Sequence, residues 1–509
     1  MVKLTKNEKG NFMKLNYKRT ILVGFAFFLI SAFWQAYDAI IPLILTNHFG
    51  LPQTASGAVM SIDNVLAVVL LPVFGALSDR IMTRYGRRTP FIVIGTVAAI
   101  AAFIALIFID SYQLGAVLDA GIPARYEQVK AMLKEANRAL IEAGNLGNDA
   151  AINAAKAAIE SINTAIDGII AETLEITMQN VFGLVAFIAV LLVVLIAMAT
   201  FRSPAVALMP DVTVKPLRSK GNAVINLMGT AGGILVLVLG MVFGTSNNHY
   251  MKYTGYVFAV CGIMLLGLLI FVLTVREKKW AEEMAQQTEQ LGLEDRAEVS
   301  GEGKTSLSRP EFKSLILILA SVALWFIGYN SITSKYSVYS SNVLFFDFNL
   351  TLIIAQVAAI ISYIPVGIVA SRIGRRKTII AGICMLGSAF FIGNFISPGV
   401  NQFVMVPIFI LAGMGWATIN VNSFPMVVEL ARGGNVGKYT GYYYTASMSA
   451  QIVAPILSGF LYDLFGMRAT FFSFGTVFVF ASLVTMLFVK HGDAKPLASE
   501  AIDNFGGDD

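Results

Sequence analysis

Two carboxylates interrupt apolar sequence, Asp38 within residues 33–41 and Asp63 within residues 59–66. At the centre of a membrane-crossing helix such a group costs about 2.5–3.5 kcal/mol and persists there mainly for function. A carboxyl in that setting can take up and release a proton, or accept from a ligand hydroxyl. Around the two acids stand aromatic and amide side chains in matching apolar runs: Trp34, Gln35 and Tyr37; Asn222 and Asn226; Trp325, Tyr329 and Asn330; Gln356; Trp416, Asn420 and Asn422; and Gln451. Aromatic faces and amides are the groups that read a polyhydroxylated ligand, one covering its apolar side and the other bonding its hydroxyls. No nucleotide-binding loop, metal cluster or nucleophile–base pair accompanies them, so an enzyme, a cofactor and a metal site are not expected. Cys261 and Cys384 lie far apart in the chain. His48, His249 and His491 fall at helix ends or in loops, so a relay would have to use carboxylates.

The elements that carry these groups follow from composition. Of 509 residues 56% are hydrophobic and 14% charged, with a mean hydropathy of +0.70, more apolar surface than a water-soluble core can hide. Runs of about twenty apolar residues recur, each able to cross about 30 Å of hydrocarbon as a helix with its backbone bonds satisfied internally. They predict spans near 20–46, 51–78, 89–110, 178–208, 222–246, 253–275, 313–342, 349–371, 378–398, 401–428, 439–462 and 468–490. An even count puts both termini on one side. Basic residues precede span 1 (Lys3, Lys6, Lys9, Lys14, Lys18, Arg19) and follow spans 2, 4 and 8, with Lys215, Arg296 and Lys304 among those of the intervening loops. By the positive-inside rule that side is cytoplasmic. The net charge of +5 then reports topology and anionic lipid, not nucleic acid.

Shifted by 292 positions, the chain matches itself: Tyr37-Asp38 falls on Tyr329-Asn330, Gly75 on Gly367 and Arg80 on Arg372. The loops after spans 2 and 8 agree in kind, Gly75…Asp79-Arg80…Gly86-Arg87-Arg88 against Gly367…Arg372…Gly374-Arg375-Arg376. Two parallel six-helix halves follow, with a ligand site expected between them at mid-depth. The expected limits are a tail 1–19, a first bundle 20–275, a linker 276–312, a second bundle 313–490 and a tail 491–509. Glu277 to Gln290 reads as an amphipathic helix and the linker as a tether. An insert at 111–177 reads as an external helical hairpin, with a turn at Gly144–Gly147 and a cap at Asp149. A packed spacer and a gating or capturing lid both remain open for it. The loop glycines and Asp79 suit a conformational switch, Asp79 lying against a helix N-terminus or an arginine.

The long form of that loop, from Asp79-Arg80 to Gly86-Arg87-Arg88 and Pro90-Phe91, resembles the glycoside–pentoside–hexuronide branch of the major facilitators, in its sucrose-carrier-like group. Asp63-Asn64…Pro72…Gly75, Arg202-Ser203-Pro204 through Asp211, Gly221-Asn222-Ala223 and Tyr439-Thr440-Gly441…Gln451…Pro455 extend the likeness over nearly all the membrane part. It implies an all-α membrane protein of two pseudo-symmetric six-helix bundles that imports a sugar, a disaccharide or glucoside, together with a cation. Two departures stand out. Where sodium-coupled melibiose carriers have paired span-2 carboxylates this chain has Ala67 and Leu71, and where plant sucrose carriers have a span-4 aspartate it has Leu195.

Coupling therefore falls to Asp38 first and Asp63 second, whose depths agree within about 5 Å at 1.5 Å per residue. A structural hydrogen bond remains the alternative for each. Arg202, inside span 4, is expected to latch a cytoplasmic gate with Asp211 or Glu429, with contact to the sugar as the alternative. The reading is a monomeric, proton-coupled sugar importer in an inner cell membrane. Sodium coupling, export of amphipathic compounds and a non-transporting sensor are the rivals.

Overall fold

A computed structural model describes residues 15–214, 217–290, 307–430 and 436–491. Lys3, Lys6, Lys9, Lys14, Lys215, Arg296, Lys304 and the tail from 492 onward lie outside the described residues. The chain forms α1 (Tyr17–Leu43), α2 (Gln53–Arg80), α3 (Thr89–Asp119), α4 (Ile122–Asn145), α5 (Asp149–Gln179), α6 (Val181–Asp211), α7 (Arg218–Phe243), α8 (Thr254–Thr274) and α9 (Glu277–Gln290). After the linker come α10 (Arg309–Thr333), the single turn α11 (Tyr336–Val338), α12 (Phe348–Ile373), α13 (Arg375–Gly393), α14 (Met405–Val428), α15 (Val436–Phe465) and α16 (Met467–Leu487). Wide π-turns extend α1 over Ile44–His48 and α11 over Tyr339–Leu344.

Among the described residues eleven helices are long and apolar enough to cross a membrane, and twelve when α12, bent by 48° beside Pro365, counts as one span. Proline explains the bend, since it removes a backbone donor and its ring clashes with the preceding turn. In the first bundle α1 packs on α7 and α8, and α3 on α6; in the second α10 packs on α16, and α14 on α12 and α13.

The bundles meet most closely where α2 crosses α15 and α7 crosses α12. Gly57 and Gly459 make the first crossing possible, because a Cβ on either would stand 2.1 Å from the Pro455 carbonyl oxygen or 2.4 Å from that of Gln53. Asp463 of α15 caps α2, accepting from the Gln53 and Thr54 backbone N–H groups at 2.7 Å each. Asn342 donates to Asn47 at 2.9 Å, Ser246 to Asp347 at 2.9 Å and Asn349 to Thr245 at 3.0 Å. All these ties lie at one end of the molecule, which is thereby closed.

The insert differs from expectation in its limits. Span 3 runs on to Asp119, and the hairpin is α4 and α5, with only Asn180 separating α5 from α6. Asn148, not Asp149, caps α5: its extended backbone leaves the side chain free to accept from Ala151 N–H at 3.1 Å. Asp149 sits in the first turn, where its charge complements the helix dipole. The amphipathic helix at Glu277–Gln290 forms as expected.

Candidate functional site

Between the two bundles lies a cavity of about 1080 Å³, at the upper end of the range for small-molecule pockets. On α1 the lining residues are Ser31, Trp34, Gln35 and Asp38, a stripe at the three-and-four spacing of one helix face. Across from them α2 brings Asp63 and Asn64, α6 brings Arg202, and α7 brings Asn222, Asn226 and Gly233. The second bundle contributes Tyr329 and Asn330 of α10, Gln356 and Tyr363 of α12, Trp416 of α14 and Gln451 of α15. The cavity reaches from Ser337, near the closed end, to Pro210 and Arg218 at the far ends of α6 and α7.

Asp38 is deep in the bundle yet exposed to the cavity, so this carboxylate meets space that water or a ligand can fill. Asp63 lines the same space and accepts from the backbone and side-chain nitrogens of Asn64 at 2.6 and 2.7 Å. Gln356 donates to Gln35 at 2.6 Å, joining the bundles across the cavity itself. Trp416 stacks near-parallel to Tyr329, with centroids 6.0 Å apart, and Tyr363 meets its edge at 6.4 Å.

Four residues expected in the site turn away from it. Tyr37 is fully buried, packed against Phe33 and Trp34, and does not line the cavity that its neighbour Asp38 faces. Trp325 packs on Phe326 at 4.0 Å. Asn422 is buried and bonds the Thr418 carbonyl of its own helix at 2.9 Å, while Asn420 lies buried one turn beyond Trp416 on α14. In each case helix rotation, invisible in residue type, puts the side chain into interhelical packing. The expected latch of Arg202 to Asp211 or Glu429 is also replaced. Arg202 faces the cavity with its guanidinium 5.7 Å from the Trp34 ring, in the field of Asp63. Asp211 instead takes Arg88, and Glu429 takes Arg375. Asn64, Tyr363 and Arg218 also line the cavity, and nothing in their sequence setting marks them for it.

The switch loop forms a polar hub inside the first bundle. Arg88 is buried and donates to Asp211 Oδ2 at 2.8 Å, and also to Asp79 and Ser78. Gly86 and Gly374 take φ of +119° and +94°, which side chains other than glycine's rarely adopt. Arg80 and Arg372 are exposed, and Arg376 donates to the carbonyls at the end of α16. Gly75 and Gly367 lie within α2 and α12.

The linker helix does more than tether. Glu277, 3% exposed, accepts from the backbone N–H groups of Arg87, Arg88 and Thr89 and from the Thr89 hydroxyl at 2.6–2.8 Å. One carboxylate thus caps the start of α3, and the only sequence sign was an acid opening an amphipathic helix. Glu277→Ala strips three buried donors and one half-buried donor of their acceptor, at about 1–3 kcal/mol for a buried group left unpaired. The expected result is a Tm lower by about 5 °C or more in detergent; an unchanged melting curve would show the cap to be dispensable.

Asp110 is a further acid within the apolar part of the first bundle. It is fully buried on α3 and bonded to Nδ1 of the equally buried His48. The rule that singled out Asp38 applies to it, but ending span 3 at that residue hid it at a boundary.

The family model of the Major Facilitator Superfamily matches residues 23–120, 171–362 and 345–504. An uncharacterised MFS-type transporter of Methanocaldococcus jannaschii is 25% identical over 26% of this chain and 33% of its own length. The multi-drug resistance efflux pump PmrA of Streptococcus pneumoniae is 26% identical over 26% of this chain and 32% of its own. The matches thus span about a third of these curated relatives. Among solved structures, the inward-open xylose transporter of E. coli superposes with a TM-score of 0.58 at 13% identity, covering 94% of this chain and 97% of that one. A POT family transporter in complex with 5-aminolevulinic acid gives 0.59 at 12%, covering 95% and 97%. These likenesses concern the fold. With its family model matched over most of its length, the chain belongs to the Major Facilitator Superfamily.

Proposed function

We propose that this facilitator imports a sugar, a disaccharide or glucoside, by proton symport, as its resemblance to the glycoside–pentoside–hexuronide branch implies. One observation carries the reading: a cavity between the halves joins aromatic plates, amides and two carboxylates. Trp416 offers a flat apolar face. Gln35, Asn222, Asn226, Asn330, Gln356 and Gln451 supply donors and acceptors for hydroxyls, and Asp38 and Asp63 supply proton-accepting groups. Asp38 has the leading coupling role because its carboxylate opens onto the cavity, whereas that of Asp63 is tied to Asn64. Arg202 and Arg218 balance the two acids in formal charge, which suits a neutral ligand.

Alternating access is the mechanism the arrangement supports. With the basic loops cytoplasmic, both termini lie inside the cell, in its inner membrane, and the closed end faces out. The described state is then inward-facing. The similarity to a multi-drug efflux pump supplies a second reading, against which the amides weigh, because amphipathic compounds favour apolar linings.

The deciding experiment is uptake of a disaccharide panel into proteoliposomes, with proton and sodium gradients imposed separately. Accumulation of one sugar under an inward proton gradient alone is expected. Accumulation under sodium alone would reassign the cation, and transport of amphipathic dyes with no sugar uptake would reassign the function.

A further inference from the structure

The α4–α5 hairpin belongs mechanically to the first bundle. It continues α3 and leads into α6. Its base is buried in a cluster of Leu114, Val117, Ile122, Tyr126, Ile169 and Tyr250. Thr177 donates to the Phe49 carbonyl at 3.0 Å, Gln113 to Thr177 at 2.8 Å, and Tyr126 stacks on His249 at 3.9 Å. The hairpin is held on that side from root to mid-length.

Its far side lies on the second bundle, and it touches all three connections at the closed end of that bundle. Lys130 and Lys134 place their ammonium groups 5.9 and 5.3 Å from the centre of the Phe345 ring, between α11 and α12. Asn137 and Ile141 lie against Gly399, between α13 and α14. Arg468, at the start of α16, donates to Asn137 Oδ1 at 3.5 Å. Phe345 is unusual in itself: among the described residues it is the one non-glycine at positive φ, +60°. A bulky side chain keeps that strained shape only where its surroundings over-determine it. Here two lysines of the other bundle stand over its ring.

We propose that the hairpin is a latch, fixed to the first bundle and clasping the second, which holds this end of the transporter shut. The contacts of Lys130, Lys134 and Asn137 with Phe345 and Arg468 must part each time the end opens, so these residues position the equilibrium between the two access states. The latch rests on the alternating-access part of the reading above and is independent of its sugar part. Its contacts are polar and cation–π, a class weak enough to release in each cycle.

The test uses the full-length protein in sealed vesicles with the hairpin face outward. Cys384 is exposed and Cys261 buried, so a Cys384→Ser background carries Ser31→Cys as a reporter inside the cavity. A membrane-impermeant maleimide added outside labels that reporter only when the closed end opens. Measurable labelling with the latch intact reports alternation itself, so failure of alternation and failure of the latch read differently. Replacing Lys130, Lys134 and Arg468 together by alanine should speed labelling about tenfold, a modest shift of a two-state population. In an Asn137→Cys/Gly399→Cys variant, whose Cβ atoms would stand 3.8 Å apart, within disulfide reach, molecules that carry the disulfide should not label until it is reduced. Unchanged labelling in the triple variant, or labelling of disulfide-bearing molecules, would make the hairpin a passive rider and overturn the proposal.

Discussion

Asp38→Asn is expected to abolish concentrative uptake while leaving ligand binding and exchange across the membrane measurable. The substitution keeps the shape of the side chain and its capacity to bond a hydroxyl, but asparagine cannot carry a proton through the cycle. A proton moving down 100 mV releases about 2.3 kcal/mol, enough to sustain an accumulation ratio of about fiftyfold. In the variant that ratio should fall to about one. Exchange of labelled for unlabelled sugar needs no net proton movement and should continue. The geometry motivates the sign: Asp38 and Asp63 open onto the same cavity as the amides and Trp416, so a proton held on Asp38 sits where a ligand would bind. Undiminished accumulation in Asp38→Asn vesicles would remove this residue from coupling and pass the role to Asp63, whose bonds to Asn64 hold it more firmly.

That Asp38, Asp63 and most of the amide set meet in one cavity was legible because such groups are costly in hydrocarbon, and because the 292-residue repeat pairs Asp38 with Asn330, both of which line it. The helices were legible for a related reason, since only a helix of about twenty apolar residues crosses a bilayer with its backbone satisfied. Rotation about each helix axis was not. In a water-soluble helix the polar face announces itself, whereas these spans are apolar nearly all round, and Trp325 and Trp416 look alike in sequence. Tyr37 and Asn422 are lost to packing for that reason. Pairings between distant segments were equally hidden. Glu277 reaches α3 across 188 to 190 positions, and Arg202 has Trp34 for a neighbour in place of the acids expected for it. Asp110 shows that a cost argument fails when the end of a span is misplaced, for it can then pass as an interfacial residue.

The other large effect separates the two tryptophans that sequence cannot tell apart. Trp34 carries the guanidinium of Arg202 over its ring, whereas Trp416 is held by the aromatic rings of Tyr329 and Tyr363, and Trp416 is the plate proposed for the sugar. Trp416→Ala removes that face from a cavity already open to solvent, so no closed void forms and the fold should survive. The loss is contact with the ligand's apolar side, about 1.5–3 kcal/mol by analogy with burying a large side chain, or about 10–100-fold in the half-saturation concentration. The maximal rate should stay within about twofold, because the contact is made equally before and during translocation. Trp416→Phe should recover most of the affinity. Trp325→Ala is expected to behave in the opposite way: the ring is 1% exposed and packed on Phe326, so its loss leaves a cavity costing about 3–5 kcal/mol of stability. The molecules that remain folded should keep their half-saturation value. Measuring ligand affinity and thermal stability on both variants decides the matter, since a Trp416→Ala protein with normal affinity and a lowered Tm would place its ring in packing and leave the sugar reading without its aromatic face.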